Sequence, residues 1–468
     1  MTALNINLTL RRAGRWAGAS AIAAAALAVV VFRPDQAGQV AAGLTAHSLC
    51  SATFVSGLDP RATYRELLRP MLGPAGRLIR YRVDRPGRGV TASFAGLIQA
   101  RARFTPGYGC RLEYAGATAP AAALSPEPPF PPDDFAPPHL VPPTNPAIAA
   151  AIDRVFTEAP GEPSKDVKAV VVVKDGRIVA ERYAPGFGID TPLLSYSVAK
   201  SFTNALTGVL ARQGRLRVDQ PVGAPEWSAA GDRRARITVE DLLRMRSGLD
   251  ATEAASAFDP VARMEFTQND MAGFAARREL KQSPGTRWEY TSANTLILNR
   301  LLGRIVGGGE AGMRAFALRE LFAPLHMSGV TMEFDGTGVF VGSSYVWAPA
   351  RAYARLGELY LNDGVAPDGR RILPAGWVAW SRRSTLGSPY GAGFWTNDGP
   401  SPYAALRVAH GFAKDGFFAS GILGQRIYIV PSEHLVVARF GYSRPPDFGI
   451  ADDLALIKAA GSGPGLLR

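Results

Sequence analysis

Ser197 and Lys200 stand three residues apart in the segment LLSYSVAKSFTNALTGVLARQGRL. On a helix, positions i and i+3 share a face, so this spacing brings a hydroxyl and an amine within hydrogen-bond reach. A serine attacks a carbonyl only when a base removes its proton, and a lysine is such a base only in its neutral form. An exposed lysine titrates near about 10.4, so burial or neighbouring positive charge must favour the free amine. Val198, Ala199 and Phe202 provide apolar neighbours for that burial. The first helical turn also puts Ser197 at the positive end of the helix dipole, which favours a developing oxyanion and disfavours an ammonium. The S-x-x-K spacing alone also occurs on ordinary surface helices, so the pair needs further groups to mean chemistry.

Two other segments supply candidates. In PGTRWEYTSANTLILNRLLGRI, Tyr290 follows a Pro-Gly turn and precedes an amphipathic helix, a loop placement suited to a catalytic group. Beside Lys200 its phenol could pass a proton to a leaving group, and Ser292 could point into the same pocket. In GFFASGILGQRIYIVPS the small residues Ala419, Ser420 and Gly421 open a strand against which a substrate can lie. The amide of Ile422 is then a candidate to pair with that of Ser197 as an oxyanion hole.

The elements that must position these groups are legible in outline. NPAIAAAIDRVFTEA reads as a helix, and VKAVVVVKDGRIVAERYA as two strands joined at Lys174, Asp175 and Gly176. A long, mostly helical middle follows, then the late strands RIYIVP and HLVVARFGY. This order predicts a mixed α/β unit whose sheet draws strands from both ends of the domain. The expected division is 1–36 tail and signal anchor, 37–116 small N-terminal module, 117–144 proline-rich linker or strap, and 145–462 catalytic domain.

Taken together, the segments resemble the serine β-lactamase and penicillin-binding-protein superfamily, whose hallmark is S-x-x-K. They are nearer to its 6-aminohexanoate-dimer hydrolase and esterase branch. The matching text beyond SVAK is ITVEDLLRMRSGLD, PGTRWEYTSANTLIL, LFAPLHMSGV, RAYARLGELYLNDGVAPDGRRILPAGWV, YGAGFW and FFASGILGQRIYIVP. The resemblance implies an α/β (α+β) fold: an antiparallel sheet flanked by helices, plus an all-helical insert, with Ser197 in the cleft between them. It also implies an acyl-enzyme route with Lys200 as base, Tyr290 as proton relay and the Ser197 and Ile422 amides on the oxyanion. Ser292, Ser420 and Gly421 fall at substrate-binding positions, and no cofactor is implied. Two departures stand out. Ser292 replaces the asparagine of the Y-x-N motif common among β-lactamases. Ala419-Ser420-Gly421 replaces K-T-G or H-x-G, removing a cation that would pair with a substrate carboxylate. Both point to a small-molecule amide or ester as substrate and away from efficient β-lactam turnover. A D,D-peptidase or acyltransferase, and a catalytically idle ligand-binding member, are the competing readings.

The termini and composition bound the rest. Arg11, Arg12 and Arg15 precede a nearly uncharged run from Trp16 to Phe32, the pattern of an export signal or an uncleaved anchor. We therefore expect an exported protein on the periplasmic side, held to the inner membrane by a helix over 16–32. Only two cysteines occur, Cys50 and Cys110, and an oxidising compartment would join them in a disulfide within the small module. The net charge of +12 comes without a dense basic run, so nucleic acid is not an expected partner. The five histidines are scattered, and neither they nor the cysteines have metal-ligand spacing, so no metal is expected. Neither a G-x-S-x-G elbow nor a phosphate-binding G-x-x-x-x-G-K-[ST] loop is present.

Overall fold

The computed structural model describes residues 34–117, 122–125, 130–131, 133–254 and 256–461. The expected anchor over 16–32 lies outside these residues. Among the described residues no helix is long and apolar enough to cross a membrane.

The chain begins with α1 (Pro34–Phe54), which lies across a four-stranded antiparallel sheet. The strands β1 (Ile79–Asp84), β2 (Gly89–Phe94), β3 (Ile98–Thr105) and β4 (Gly109–Leu112) follow one another in chain order. Small residues let α1 be approached from two sides. A Cβ on Gly38 would sit 2.7 Å from the Ile98 side chain on the sheet, and one on Gly43 would sit 2.4 Å from the Phe266 carbonyl oxygen across the way. The Cys50–Cys110 disulfide joins α1 to β4 with Cα atoms 6.0 Å apart. Sequence reading anticipates strands near 78–83 and 90–97 and a helix over 62–72, but passes over α1 and the last two strands. The structure shows why: α1 is covered on both sides by small-residue contacts and carries no single apolar stripe.

One buried carboxylate gathers several of the bonds that tie this module to the rest of the molecule. Glu333, with no solvent exposure, accepts from Ser51 Oγ (2.6 Å) and the Cys110 amide (2.7 Å) on Oε1. On Oε2 it meets Trp347 Nε1 at 3.0 Å and His47 Nε2 at 3.2 Å. The proline-rich segment is also docked. Asp133 accepts from Arg355 Nη2 at 2.7 Å, the Arg355 guanidinium lies 4.3 Å over the Phe135 ring, and Arg351 donates to the carbonyls of Pro137 (2.6 Å) and His139 (2.8 Å). It is therefore a strap held against the part of the chain that follows it.

Helix α2 (Pro146–Phe156) starts on Asn145, whose side chain accepts from the Ala147 amide at 2.8 Å. Strands β5 (Val167–Lys174) and β6 (Arg177–Tyr183) form a hairpin whose turn uses positive φ at Asp175 and Gly176. The two-residue strand β7 (Leu193–Leu194) then leads into α3 (Ala199–Arg212). The middle of the chain holds α4 (Pro260–Thr267) and α5 (Ser292–Val306) among shorter helices. This part is not wholly helical: β9 (Val346–Ala348) pairs with both β7 and β8 (Thr331–Met332) in a separate small sheet. After α6 (Ala350–Leu361) come β10 (Trp395–Thr396), β11 (Phe417–Gly421), β12 (Gln425–Val430), β13 (Leu435–Gly441) and α7 (Ile450–Gly461).

The main sheet is antiparallel in the order β10-β11-β12-β13-β5-β6, so strands from both ends of the domain meet at the β13–β5 pair. Alternate residues of β5 serve different cores. Ala169, Val171 and Val173 face the α3 and α6 side, while Val170 and Val172 face Ile148, Ile152, Leu454 and Ile457 of α2 and α7. A strand buried on both faces reads as a continuous apolar run, which is why VVVV is recognisable here.

Candidate active site

The turn that carries Ser197 is tight. Tyr196 has φ +42°, a 3-10 turn spans Tyr196–Val198, and α3 begins at Ala199. Left-handed backbone at a tyrosine costs energy and persists where neighbours enforce it. Here Ser195 does so: its amide donates to the Val346 carbonyl at 2.8 Å, and its hydroxyl donates to the Ser344 carbonyl (3.1 Å) while accepting from the Val346 amide (3.0 Å). Strand β11 closes in from the other side. A Cβ on Gly421 would lie 2.5 Å from the Ser195 carbonyl and 3.0 Å from the Ser197 amide nitrogen. Only glycine permits that approach, and Ile422 follows it at the start of a short turn.

Lys200 is 2% exposed and points at Ser197. Its Nζ donates to Ser197 Oγ at 2.9 Å, to Ser292 Oγ at 2.9 Å and to the Ser343 carbonyl at 3.0 Å. None of these partners is a carboxylate. Below the amine is a cavity of about 10 Å³ lined by Leu242, Leu243, Met245 and Leu298. Burial lowers the lysine from its ordinary value, against the opposing pull of Glu253 and Glu265. Ser197 itself is partly exposed, as a group that meets a substrate must be.

Tyr290 completes the group. Lys200 Nζ lies 4.9 Å from the centre of its ring, which stacks on Trp395 at 5.6 Å and meets Tyr390 edge-on at 5.5 Å. Burial, and then the charge of Glu253, push its phenol well up from the usual range, while a hydrogen bond with Ser197 pulls it back. The phenol thus stays protonated. Ser292 opens α5, and its amide donates to Glu253 Oε2 at 2.5 Å.

The structure thus brings Ser197, Lys200, Tyr290 and Ser292 together, with Gly421 and Ile422 alongside. Ser420 lies next in β11, paired with Arg426, and no hydrogen bond connects it to the other four. Motif spacing does not reveal Glu253, Glu265 or the Ser343 carbonyl. Ser343 is 143 residues from Lys200 in sequence and contributes a backbone atom, which carries no signature. Tyr390 and Trp395 do bracket the recognisable stretch YGAGFW. Among the described residues, no cluster of three metal-binding side chains occurs.

An antiparallel sheet with a Ser-x-x-Lys helix at its edge, faced by a tyrosine from a helical region, is the architecture of the serine-hydrolase superfamily of β-lactamases, esterases and amidases. The family described as Beta-lactamase matches residues 152–461, and the chain belongs to it. Among curated proteins, it is 27% identical over 297 residues to 6-aminohexanoate-dimer hydrolase of Paenarthrobacter ureafaciens, covering 60% of this chain and 73% of that one. Among solved structures, it is similar to a penicillin-binding-protein homologue from Caulobacter crescentus (TM-score 0.50, 20% identity, 67% of this chain and 96% of that one). It is also similar to EstCE1, a hydrolase with promiscuous acyltransferase activity (TM-score 0.52, 16% identity, 68% and 99%). At these identities the structural likeness is one of fold.

Proposed function

We propose that this chain is a serine hydrolase that cleaves an amide or ester bond of a small molecule through an acyl-enzyme on Ser197. The observation that carries the reading is the 2.9 Å contact between Ser197 Oγ and a buried lysine amine whose partners are two hydroxyls and a carbonyl. Such an amine accepts the serine proton as Oγ bonds to the substrate carbonyl carbon. The oxyanion is held by the amides of Ser197 and Ile422, which Gly421 allows to converge. Tyr290, protonated and lying beside Lys200, hands a proton to the departing amine or alcohol and is recharged from the Lys200 ammonium. Water then takes the place of the leaving group, and the same base releases the acid. Ser292 receives the same amine at 2.9 Å, and Ser420 and Gly421 flank the substrate. The amide-hydrolysing relative supports this bond class. The Cys50–Cys110 disulfide supports an exported location, while the anchor over 16–32 rests on sequence alone.

The test is labelling with a fluorophosphonate probe, comparing wild type with Ser197→Ala. Labelling that needs Ser197, followed by turnover of short-chain p-nitrophenyl esters or linear amides, is the expected result. Labelling that persists in the alanine variant would falsify the site. Inert esters and amides with an active D-Ala-D-Ala peptide, or with acyl transfer to an added alcohol, would move the reading to a peptidase or transferase.

A further inference from the structure

Glu265 sits on α4, where the N-terminal module covers it: α1 crosses α4 with Gly43 pressed against Phe266. Its Oε1 accepts from Ser344 Oγ at 2.5 Å and from Ser343 Oγ at 3.4 Å. These two serines form the corner that holds both halves of the catalytic pair. The Ser343 carbonyl receives Lys200 Nζ at 3.0 Å, and the Ser344 carbonyl receives Ser195 Oγ at 3.1 Å, two residues before Ser197. One carboxyl therefore ties down the corner on which the base and the nucleophile's turn both rest.

We propose that Glu265 is a positioning residue for Ser197 and Lys200: it fixes the Ser343–Ser344 corner, and its charge offsets the ammonium formed when Lys200 takes the Ser197 proton. The inference rests on the hydrolase reading above. Groups of several elements face this carboxyl. Lys200 of α3, Glu253 of the neighbouring loop and His47 of α1 act on it electrostatically, and Arg111, Tyr114, Asp335 and Tyr345 line the same small cavity. Burial raises the carboxyl to about 7, with the Ser344 hydrogen bond opposing and Glu253 adding to the rise. Glu265 and Lys200 thus act on each other's charge across this corner. An ionised Glu265 raises Lys200, so removing it lowers the pH at which the amine becomes free.

The experiment uses the full chain and measures kcat/KM for p-nitrophenyl butyrate from pH 5 to 10, together with the rate of fluorophosphonate labelling. Glu265→Gln should slow labelling about 10- to 100-fold and move the acid limb of the profile to lower pH. Glu265→Asp should keep the limb in place and recover most of the rate. Ser344→Ala keeps the carboxyl but loosens the corner, so it should slow labelling with a smaller displacement of the limb. A Glu265→Gln profile superimposable on wild type in pH, whatever its height, overturns the proposal. If that variant does not fold, wild-type rates in both Glu265→Asp and Ser344→Ala overturn it. A wild type never labelled at Ser197 sinks the hydrolase reading and this inference with it, whereas a labelled wild type with an unmoved profile sinks only the role of Glu265.

Discussion

Two lysines of this chain are buried in different company. Lys168, 6% exposed, lies between Glu66 at 3.0 Å and Asp166 at 2.6 Å, with the rings of Phe187 and Tyr442 about its ammonium at 5.3 and 5.1 Å. Lys200, 2% exposed, has hydroxyls and a carbonyl instead. Burial alone therefore does not make a base. An amine given carboxylates serves as a tie, here between the N-terminal module and β5, whereas an amine given neutral acceptors is left free to take a proton.

The comparison can be broken most severely at Lys200. Lys200→Met should reduce kcat by about 10³-fold or more, because no other group in contact with Ser197 can take its proton at neutral pH. Retained turnover would show that another base serves. Gly421→Ala should cost about 10²-fold in kcat, since the added methyl meets the Ser195 carbonyl and Ser197 amide and must shift the nucleophile's turn. Tyr290→Phe should give a loss of similar size, larger for amides than for activated esters, whose leaving groups depart without a proton. Equal losses on both would assign Tyr290 to lysine placement.

The acid limb of kcat/KM sharpens the contrast by sign. Lys200 works when neutral and burial lowers its titration, so activity should climb as pH rises through a point below the about 10.4 of an exposed lysine. The same depression makes the folded state lose stability as pH falls through that point, so Lys200→Met should unfold less readily on acidification than wild type. The smallest effect belongs to the other lysine. Lys168→Met should keep kcat/KM within about twofold while lowering stability by about 1–2 kcal/mol, measured by urea unfolding, because its carboxylate partners are partly exposed.

Much of this site was legible from spacing and neighbours. Ser197 and Lys200 share a helical face by arithmetic, and Tyr290 and Ser292 sit where a loop feeds a helix. The hairpin of β5 and β6 was visible because Val170–Val173 are buried on both faces and Asp175-Gly176 makes the turn. Glu265 and Ser343 were not legible, because what they contribute depends on a corner assembled from distant segments and, at Ser343, on a main-chain oxygen. Helix α1 was missed for the related reason that its neighbours lie on two sides and leave no one-sided pattern to read. The strap was visible as a run of prolines, but contacts with distant residues, such as the ion pair of Asp133 with Arg355 and the bonds from Arg351, are what distinguish docking from tethering.

Glu333 has a practical consequence for anyone dividing this molecule. Three of its four donors, from His47, Ser51 and Cys110, arrive from the first third of the chain. A fragment starting at residue 145 would carry an acidic group in its interior with one indole left to satisfy it, and such a fragment should precipitate. Supplying residues 34–116 as a second polypeptide should rescue it, which makes the two pieces natural halves for a split reporter.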